Sequence, residues 1–382
     1  MKSAGNPVNA YVTIDFMRFL AAFAVLWSHA WGMVVPPFSA GIDAWRPVYW
    51  SAGFGANAVC IFFVISGYWI TATILRRTQA GTWTWRNYLN DRMSRLYIVL
   101  IPALIIGLIL DGSGRFLLNL PRYSDFDFMT SENVDIAASL TPQAFFGNLV
   151  FLQNIYVPMF GSNGPLWSLT NEFWYYIWFP AILLAFRGKF SVLTALTLVT
   201  IILFMNSNVT QGFLIWLLGS LVYVVTERIG ASLRKLGPAL RFGAVGAAFL
   251  VFLAAIGATR IWPGTWLTDG LIVGGGFSIL LATVITLDVG LPKILHPLSI
   301  YGARASFSLY LVHFPVLMFL ASTVLAGQVF PAGPEAIAAA IGLTLAMVAL
   351  GWFFSLVTEK HTPAVRKRVA ELLSPRKPIP GA

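Results

Sequence analysis

The chain has 382 residues, of which 58% are hydrophobic and only 10% are charged. An average soluble domain carries about 25% charged residues, so this composition cannot cover a water-facing surface and excludes a soluble protein. The single cysteine, Cys60, excludes an intramolecular disulfide and a multi-cysteine metal site. The four histidines lack the spacing of a metal-binding motif, so we expect no metal. The net charge of +10 does not indicate a nucleic-acid partner, because the basic residues fall in loops on one predicted side.

Ten apolar stretches predict ten transmembrane helices in an all-α polytopic membrane protein, since about 20 apolar residues can cross a bilayer. The first stretch contains Asp15 and Arg18 near its start and continues to Val35, which favours a retained span over a cleaved signal peptide. An even number of spans places both termini on the same side of the membrane. The ten stretches cover residues 12–34, 53–75, 94–110, 166–186, 190–206, 212–226, 242–259, 270–287, 305–326 and 335–357.

The lysines and arginines predict the orientation of these spans. Of the 25, 20 fall on one side of the predicted alternation, four fall on the other side, and Arg18 lies within the first span. Cytoplasmic loops are rich in such residues, so both termini are predicted to be cytoplasmic. We expect a membrane domain over residues 1–360 and a basic cytoplasmic tail over 361–382, with its charges solvated at the lipid surface. The basic side comprises the two termini and the loops 76–95, 187–189, 227–241 and 288–304.

Two segments between the third and fourth predicted spans have no simple transmembrane interpretation. The outer loop 111–143 is the longest and carries five acidic residues, among them Asp125, Asp127 and Glu132. It is long enough to fold over a cavity on the outer side. The segment 144–158 is apolar but short for a span, which favours an interfacial or re-entrant helix.

The first span contains three ionisable residues, Asp15, Arg18 and His29. Such a group inside a bilayer costs about 2.5–3.5 kcal/mol on insertion scales, so each is expected to have a partner or a function. Asp15 and Arg18 are i,i+3 neighbours and can form an ion pair. Arg18 and His29 are 11 residues apart, close to three turns, and share a helix face with a separation of about 16 Å. The structural alternative is an ion pair at the helix end and a hydrogen-bonded core histidine.

Two later spans carry one ionisable residue each at a position that suggests chemistry. Glu172 follows Trp167 and Ser168 in the fourth span, and we expect it near the outer end, at a depth comparable with His29. His313 lies within the ninth span, three residues after Tyr310. The structural alternatives are an interfacial carboxylate and a hydrogen bond to a neighbouring helix.

Arg92 and Arg95 lie where a basic loop enters the third span. Planar guanidinium groups suit phosphate oxygens, so the pair is a candidate phosphate-binding site. A basic cytoplasmic loop is the structural alternative. No Walker A or Rossmann glycine pattern accompanies the arginines, so a nucleoside triphosphate site is not expected.

Together these segments resemble the acyltransferase-3 family of integral membrane enzymes, which O-acylate extracytoplasmic glycans and related acceptors. The chain departs from the family pattern where Ala58-Val59-Cys60 replaces Gly-Val-Asp, and residues 359–363 match its closing motif only loosely. The matching motifs are Asp15-x-x-Arg18, Arg18 with His29 after ten residues, Phe62-Phe63-x-x-Ser66-Gly67-Tyr68, Arg92-x-x-Arg95 with Pro102, Trp167-Ser168-Leu169-x-x-Glu172, and Ser306 to His313.

The resemblance implies a membrane-embedded O-acyltransferase of the plasma (inner) membrane. The expected donor is a cytosolic acyl-CoA, acetyl-CoA above all, and the expected acceptor is a hydroxyl of an extracytoplasmic glycan. No bound cofactor is expected beyond this donor substrate. The implied binding roles fall to Arg92, Arg95 and Arg18 for the donor, and to Trp167, Ser168, Tyr310 and His313 for the substrate.

The implied catalytic residues are His29, Glu172, Arg18 and Asp15. A sugar hydroxyl is a poor nucleophile near neutral pH, and His29 is expected to remove its proton as it attacks the thioester. Glu172 is expected to orient His29 or, as an alternative, to bind the acceptor. Direct transfer and a transient acyl-histidine both remain open at this point.

Two other classes of function are compatible with parts of the sequence. A transporter or flippase for a lipid-linked sugar or polar solute would also have about ten spans and intramembrane charges. The sequence shows no inverted repeat that would favour it. A structural or sensory membrane protein would leave the spacing of Arg18, His29 and Glu172 unexplained.

Overall fold

The structure, a computed structural model, describes residues 8–38, 43–123, 135–205, 207–233 and 237–373. This part of the chain is helical and contains no strand beyond one isolated bridge between Gln153 and Val157. The predicted all-α class is confirmed. The α-helices are α1 (Val8–Val34), α2 (Arg46–Ala52), α3 (Gly55–Gln79), α4 (Trp85–Gly112), α5 (Ile136–Ser139), α6 (Pro142–Leu149), α7 (Leu166–Ala185), α8 (Val192–Leu203), α9 (Asn208–Leu233), α10 (Pro238–Ile261), α11 (Trp266–Leu287), α12 (His296–Thr323), α13 (Pro334–Val357) and α14 (Thr362–Leu372).

Among the described residues, eight helices are long and apolar enough to cross a bilayer: α1, α3, α4 and α9 to α13. A multi-pass membrane protein is therefore confirmed. The predicted spans 166–186 and 190–206 correspond to α7 and α8, which do not meet these criteria. α7 carries Asn171, Glu172 and many Trp and Tyr residues, which lower its hydropathy. α8 has 12 residues and a length of about 18 Å, short of a hydrocarbon core of about 30 Å. The count of ten spans stays a prediction.

Helices α3 and α9 cross at backbone contact. A Cβ atom added to Gly67 would lie 2.1 Å from the carbonyl oxygen of Trp216, and one added to Gly219 would lie 1.9 Å from that of Val64. Small residues allow transmembrane helices to approach this closely. The glycine of the Ser66-Gly67 motif therefore serves helix packing, and it fixes the α3 wall against α9.

Charged side chains join different helices at each end of the bundle. At one end, Asp91 at the start of α4 pairs with Arg77 of α3 (2.6 Å) and with Arg366 of α14 (3.3 Å). At the other end, Arg122 donates to the carbonyl oxygens of Met33 (2.7 Å) and Gln328 (2.9 Å). Burial lowers the pKa of the Arg122 guanidinium. The basic loops and the loops with few basic residues therefore lie at opposite ends of the bundle. Which end faces the cytoplasm stays a prediction.

The C-terminal helix α14 packs on the start of α4. The Asn90 side chain donates to the carbonyl oxygen of Arg366 (2.9 Å), and Arg86 donates to that of Ala370 (3.2 Å). The first half of the predicted solvated tail is therefore a helix held against the bundle. Residues 374–382 of the tail lie outside the described residues.

The segment 142–165, which we name the re-entrant segment, runs back into the bundle between α4 and α7. Tyr97, near the middle of α4, donates to the carbonyl oxygen of Leu149 at the end of α6 (2.9 Å). Asn163 donates to that of Leu311, near the middle of α12 (2.8 Å). Because both contacts lie at mid-helix, this geometry favours the re-entrant interpretation of 144–158 over the interfacial one.

The predicted outer loop 111–143 is described only in part. Asp111, its first residue, accepts hydrogen bonds from the backbone N–H (2.7 Å) and the hydroxyl (2.8 Å) of Ser162, which ties the loop to the re-entrant segment. Asp125, Asp127 and Glu132 lie outside the described residues, so the predicted cover over an outer cavity stays untested.

Candidate functional site

A cavity of about 350 Å³ lies inside the bundle between α1, α3, α4, α7 and α12. This volume falls within the range of small-molecule sites, about 300–1,000 Å³. Its walls combine arginines, carboxylates and hydroxyls with aromatic rings. Seven of the ten site residues predicted from the sequence line it: Asp15, Arg18, Arg92, Arg95, Ser168, Glu172 and Tyr310.

Asp15 and Arg18 face the cavity from α1 as the ion pair that their spacing predicts. The Arg18 Nη1 atom lies 3.4 Å from the Asp15 Oδ1 atom. The Asp15 side chain keeps 39% of its surface exposed and that of Arg18 keeps 20%, so both reach the cavity rather than the closed core. A charged ligand could therefore contact either residue.

Arg92 and Arg95 reach the cavity from α4 and are held by aromatic rings. The Arg92 guanidinium lies 5.6 Å from the ring centroids of both Tyr88 and Tyr176, and it donates to the Thr73 hydroxyl (3.4 Å). The Arg95 guanidinium lies 5.7 Å from the Phe307 ring centroid. Such contacts position a cation without neutralising it.

The two arginines of α4 keep unused hydrogen-bonding capacity. Within the described part of the chain, neither pairs with a carboxylate within 4.0 Å. The Nε atom of Arg92 is buried and has no hydrogen-bond partner among these residues. A buried donor without a partner is costly, so an anionic ligand that accepts this hydrogen bond would be stabilised here.

Glu172 lines the cavity from α7, and its carboxylate accepts a hydrogen bond from the hydroxyl of Tyr176, one turn along the same helix. It is also close enough to interact electrostatically with Arg18 and Arg95. Among the described residues, Glu172 forms no hydrogen bond with His29, whose Nδ1 atom lies 2.8 Å from Nε2 of His313, so the orienting role of Glu172 stays a prediction. Glu172 shares the cavity with the arginines, whereas His29 does not line it.

Ser168 and Tyr310 meet on the wall of the cavity. Their hydroxyl oxygens lie 2.7 Å apart, and the Tyr310 hydroxyl also donates to the carbonyl oxygen of Pro165 (3.2 Å). Trp167 does not line the cavity; its ring packs edge-on against Phe63 and Trp266. Its observed contacts are therefore those of a packing residue.

His29 and His313 lie next to the cavity rather than in its wall. Nδ1 of His29 is 2.8 Å from Nε2 of His313, and His313 follows the cavity-lining Tyr310 by three residues on α12. His313 is only 1% exposed, whereas His29 is partly exposed. His29 and Arg18 occupy the same helix, with the predicted separation of about 16 Å along its axis.

The comparison with protein families decides the class of this chain. The acyltransferase-3 family model, described as an acyltransferase domain, matches residues 11–356. The chain belongs to the acyltransferase-3 family. The match covers the cavity and both histidines, and it leaves out only the first ten residues and the segment that includes α14.

The curated relatives of this acyltransferase-3 chain are distant. It is 29% identical over 147 residues to an uncharacterized Haemophilus influenzae protein, which covers 38% of the chain and 56% of that protein. It is 24% identical over 329 residues to a Staphylococcus aureus protein named "Putative O-acetyltransferase". That match covers 73% of the chain and 49% of the Staphylococcus aureus protein. It is 26% identical over 173 residues to nodulation protein 10 of Rhizobium leguminosarum bv. viciae, a match that covers 45% of the chain and 44% of that protein. The chain thus spans about half the length of these relatives, and no solved structure matches it.

Two residues in or beside the candidate site were not predicted from the sequence. Tyr176 lines the cavity and bonds Glu172, and the i,i+4 spacing of the two on a helix was the available signal. Glu359 accepts hydrogen bonds from the backbone N–H (3.0 Å) and hydroxyl (2.7 Å) of Ser308, next to the cavity-lining Phe307. Its only signal was the loosely matched closing motif. In the described part of the chain, no group of three or more His, Cys, Asp or Glu could hold a metal ion.

Proposed function

We propose that this chain is a membrane-embedded O-acyltransferase that transfers an acyl group, acetyl above all, from cytosolic acyl-CoA to a hydroxyl of an extracytoplasmic glycan. Two observations carry this proposal: one cavity holds three arginines, and a hydrogen-bonded histidine pair includes His313, which follows the cavity-lining Tyr310 by three residues on α12. A donor with an anionic head and an acyl thioester at the end of a thin arm matches that arrangement.

The arginine end of the cavity suits the coenzyme A head. Pyrophosphate and ribose phosphate offer several anionic oxygens, and guanidinium groups bind such oxygens in a bidentate manner. Arg92 and Arg95 are held by rings and not by carboxylates, so their N–H groups are available to the donor. Asp91, next to Arg92, pairs with Arg77 and Arg366, so the arginines of the cavity lie near the basic end of the bundle. This end is the predicted cytoplasmic one, which favours entry of the donor from that side.

Arg18 and Glu172 would be the charged residues beside the pantetheine arm of the donor. Arg18 is paired with Asp15, and Glu172 is bonded to Tyr176, so both carboxylates are already occupied. A pantetheine arm is uncharged and offers amide groups, which fit a passage lined by such paired charges and by the hydroxyls of Ser168 and Tyr310. Glu172 would then balance the arginines rather than act on the thioester.

His29 would act as the general base in this proposal. As the acceptor oxygen attacks the thioester carbon, the ring takes the hydroxyl proton, the new carbon–oxygen bond forms and the carbon–sulfur bond breaks. The same proton then passes to the departing sulfur, so the ring returns to its starting state. A positioned base of this kind contributes about 10²–10⁴-fold to the rate.

Purified protein in vesicles, supplied with radiolabelled acetyl-CoA and a crude glycan acceptor, tests the proposal. We expect thioester turnover with label transferred to the glycan, and turnover should stop when the glycan is omitted. Counterflow of a polar solute without turnover of the thioester would contradict an acyltransferase and favour a carrier. Mass spectrometry of surface glycans from a deletion strain and its parent would then identify the modified hydroxyl.

A further inference from the structure

The two histidines beside the cavity form a hydrogen bond with nearly ideal orientation. Nδ1 of His29 and Nε2 of His313 are 2.8 Å apart, the ring planes differ by 9°, and the ring centroids are 5.1 Å apart. Because the bonded nitrogens are much closer than the centroids, the rings meet edge to edge in almost one plane. In this geometry an N–H of one ring points at the lone pair of the other.

The direction of this hydrogen bond follows from the other partners of His313. Its Nδ1 atom lies 3.0 Å from the carbonyl oxygen of Leu309 and 2.9 Å from that of Tyr310. Carbonyl oxygens only accept, so Nδ1 of His313 carries the proton. A neutral imidazole has one proton, so Nε2 of His313 accepts and Nδ1 of His29 donates. Nε2 of His29 is then the unprotonated nitrogen.

The surroundings make that nitrogen available for chemistry. His29 is partly exposed, and in the described part of the chain no side chain hydrogen-bonds its Nε2 atom. The Phe314 ring packs against His29 at 5.0 Å with perpendicular planes, which limits rotation of the imidazole. His313, at 1% exposure, is covered on all sides and is poorly placed to touch a substrate.

We propose that His313 is a positioning residue that fixes the tautomer of His29, so that the unprotonated Nε2 atom of His29 faces the acceptor hydroxyl. This inference rests on the proposed function, in which His29 is the base. The Nε2 atom of His29 receives the hydroxyl proton and later gives it to the departing sulfur, while its Nδ1–H stays bonded to His313. The role replaces the substrate contact that the sequence predicted for His313.

Two amide variants of His313 separate positioning from packing. In His313→Gln the side-chain carbonyl reaches the position of Nε2 and can still accept from His29. In His313→Asn the shorter amide ends near the position of Nδ1, so it can satisfy the backbone carbonyls but not His29. We expect His313→Gln to keep most of kcat and His313→Asn to lose about 10²–10⁴-fold, the contribution of a general base. The KM for acetyl-CoA should not change in either variant, and equal losses of kcat would overturn the proposal.

Solid-state ¹⁵N NMR of the histidine-labelled protein in lipid vesicles tests the tautomer without any assay of activity. The chain has four histidines, and the His29→Gln variant identifies the signals of His29 by their loss. We expect a protonated Nδ1 and an unprotonated Nε2 in the natural protein, and a mixture of tautomers in His313→Asn. A protonated Nε2 in the natural protein overturns the inference. The expected tautomer together with full transfer by His29→Ala would uphold the pairing and overturn the proposed function of His29.

Discussion

The hydroxyl groups of Ser168 and Tyr310, 2.7 Å apart, join the first turn of α7 to the middle of α12. Tyr310 lines the cavity, and His313 follows it by three residues on the same helix. The contact therefore lies on the cavity wall, one turn of α12 before His313 of the histidine pair. In the proposed function, the donor would pass this contact between the arginines and His29.

Removing the Tyr310 hydroxyl is predicted to loosen this junction. Tyr310→Phe keeps the ring but breaks the bonds to Ser168 and to the Pro165 carbonyl oxygen. Ser168 can still donate to the Pro165 carbonyl oxygen (3.3 Å), so the variant loses the net contribution of the Tyr310 hydrogen bonds, about 0.5–1.5 kcal/mol each. We expect a lower Tm in detergent and a lower kcat. The matched control is Tyr301→Phe on the same helix, where the side chain is exposed and no change is expected. An unchanged Tm and kcat for Tyr310→Phe would show that the contact carries no function.

His29→Ala is predicted to abolish transfer while the protein still inserts and folds. The ring supplies the base in the proposed reaction, so kcat should fall by about 10²–10⁴-fold. Retained transfer of label from acetyl-CoA by His29→Ala, in protein with normal membrane yield, would contradict the role. His361→Ala is the control, because His361 is exposed in the turn between α13 and α14 and lies outside the cavity.

Arg92→Gln and Arg95→Gln are predicted to weaken binding of the donor. A hydrogen bond to a charged group contributes about 1.5–3 kcal/mol, which corresponds to a rise of about 10–150-fold in the KM for acetyl-CoA. The effect should shrink when the natural protein is assayed at high salt, because the phosphate contacts are electrostatic. Lys293→Gln removes the same charge from an exposed site outside the cavity. An equal change of KM in all three variants would indicate a general effect of surface charge.

Much of the site could be predicted because each intramembrane charge is conspicuous in an apolar sequence. Seven of ten predicted residues line one cavity, and the i,i+3 pair of Asp15 and Arg18 is present. Partners between helices could not be predicted, since they depend on packing and not on spacing along one helix. The bond between His29 and His313 joins residues 284 positions apart.

The fold class was also predictable, whereas the details of the segments around α7 were not. Hydropathy detects long apolar helices, and eight of the ten predicted spans are of that type among the described residues. α7 and α8 are exceptions because tertiary contacts compensate for polar residues and short length. For example, the Trp178 indole donates to the Thr200 hydroxyl across these two helices (2.9 Å). A count of apolar residues does not detect such contacts between helices.

Gly67→Ala and Gly219→Ala are predicted to disrupt the α3–α9 crossing. The added methyl groups would lie about 2 Å from backbone carbonyl oxygens of the facing helix, which cannot move as a flexible side chain can. Overpacking of a tight contact costs about 1–3 kcal/mol or more, so we expect low yield and a lower Tm for both. Gly275→Ala is the control, because a Cβ at Gly275 of α11 meets nothing within 4 Å. Similar stability of all three variants would contradict a packing role for Gly67.

The predicted orientation can be tested with single cysteines, since the chain has only Cys60 and that residue is buried. In a Cys60→Ser background, Pro263→Cys and Lys293→Cys place thiols at exposed sites before and after α11, respectively. With cytoplasmic termini, a membrane-impermeant thiol reagent added to intact cells should label the site at 263 and not the site at 293. Both sites should react after the membrane is permeabilised, which controls for accessibility. Labelling at 293 in intact cells would reverse the orientation, and the arginines would then face away from the cytosolic pool of acyl-CoA.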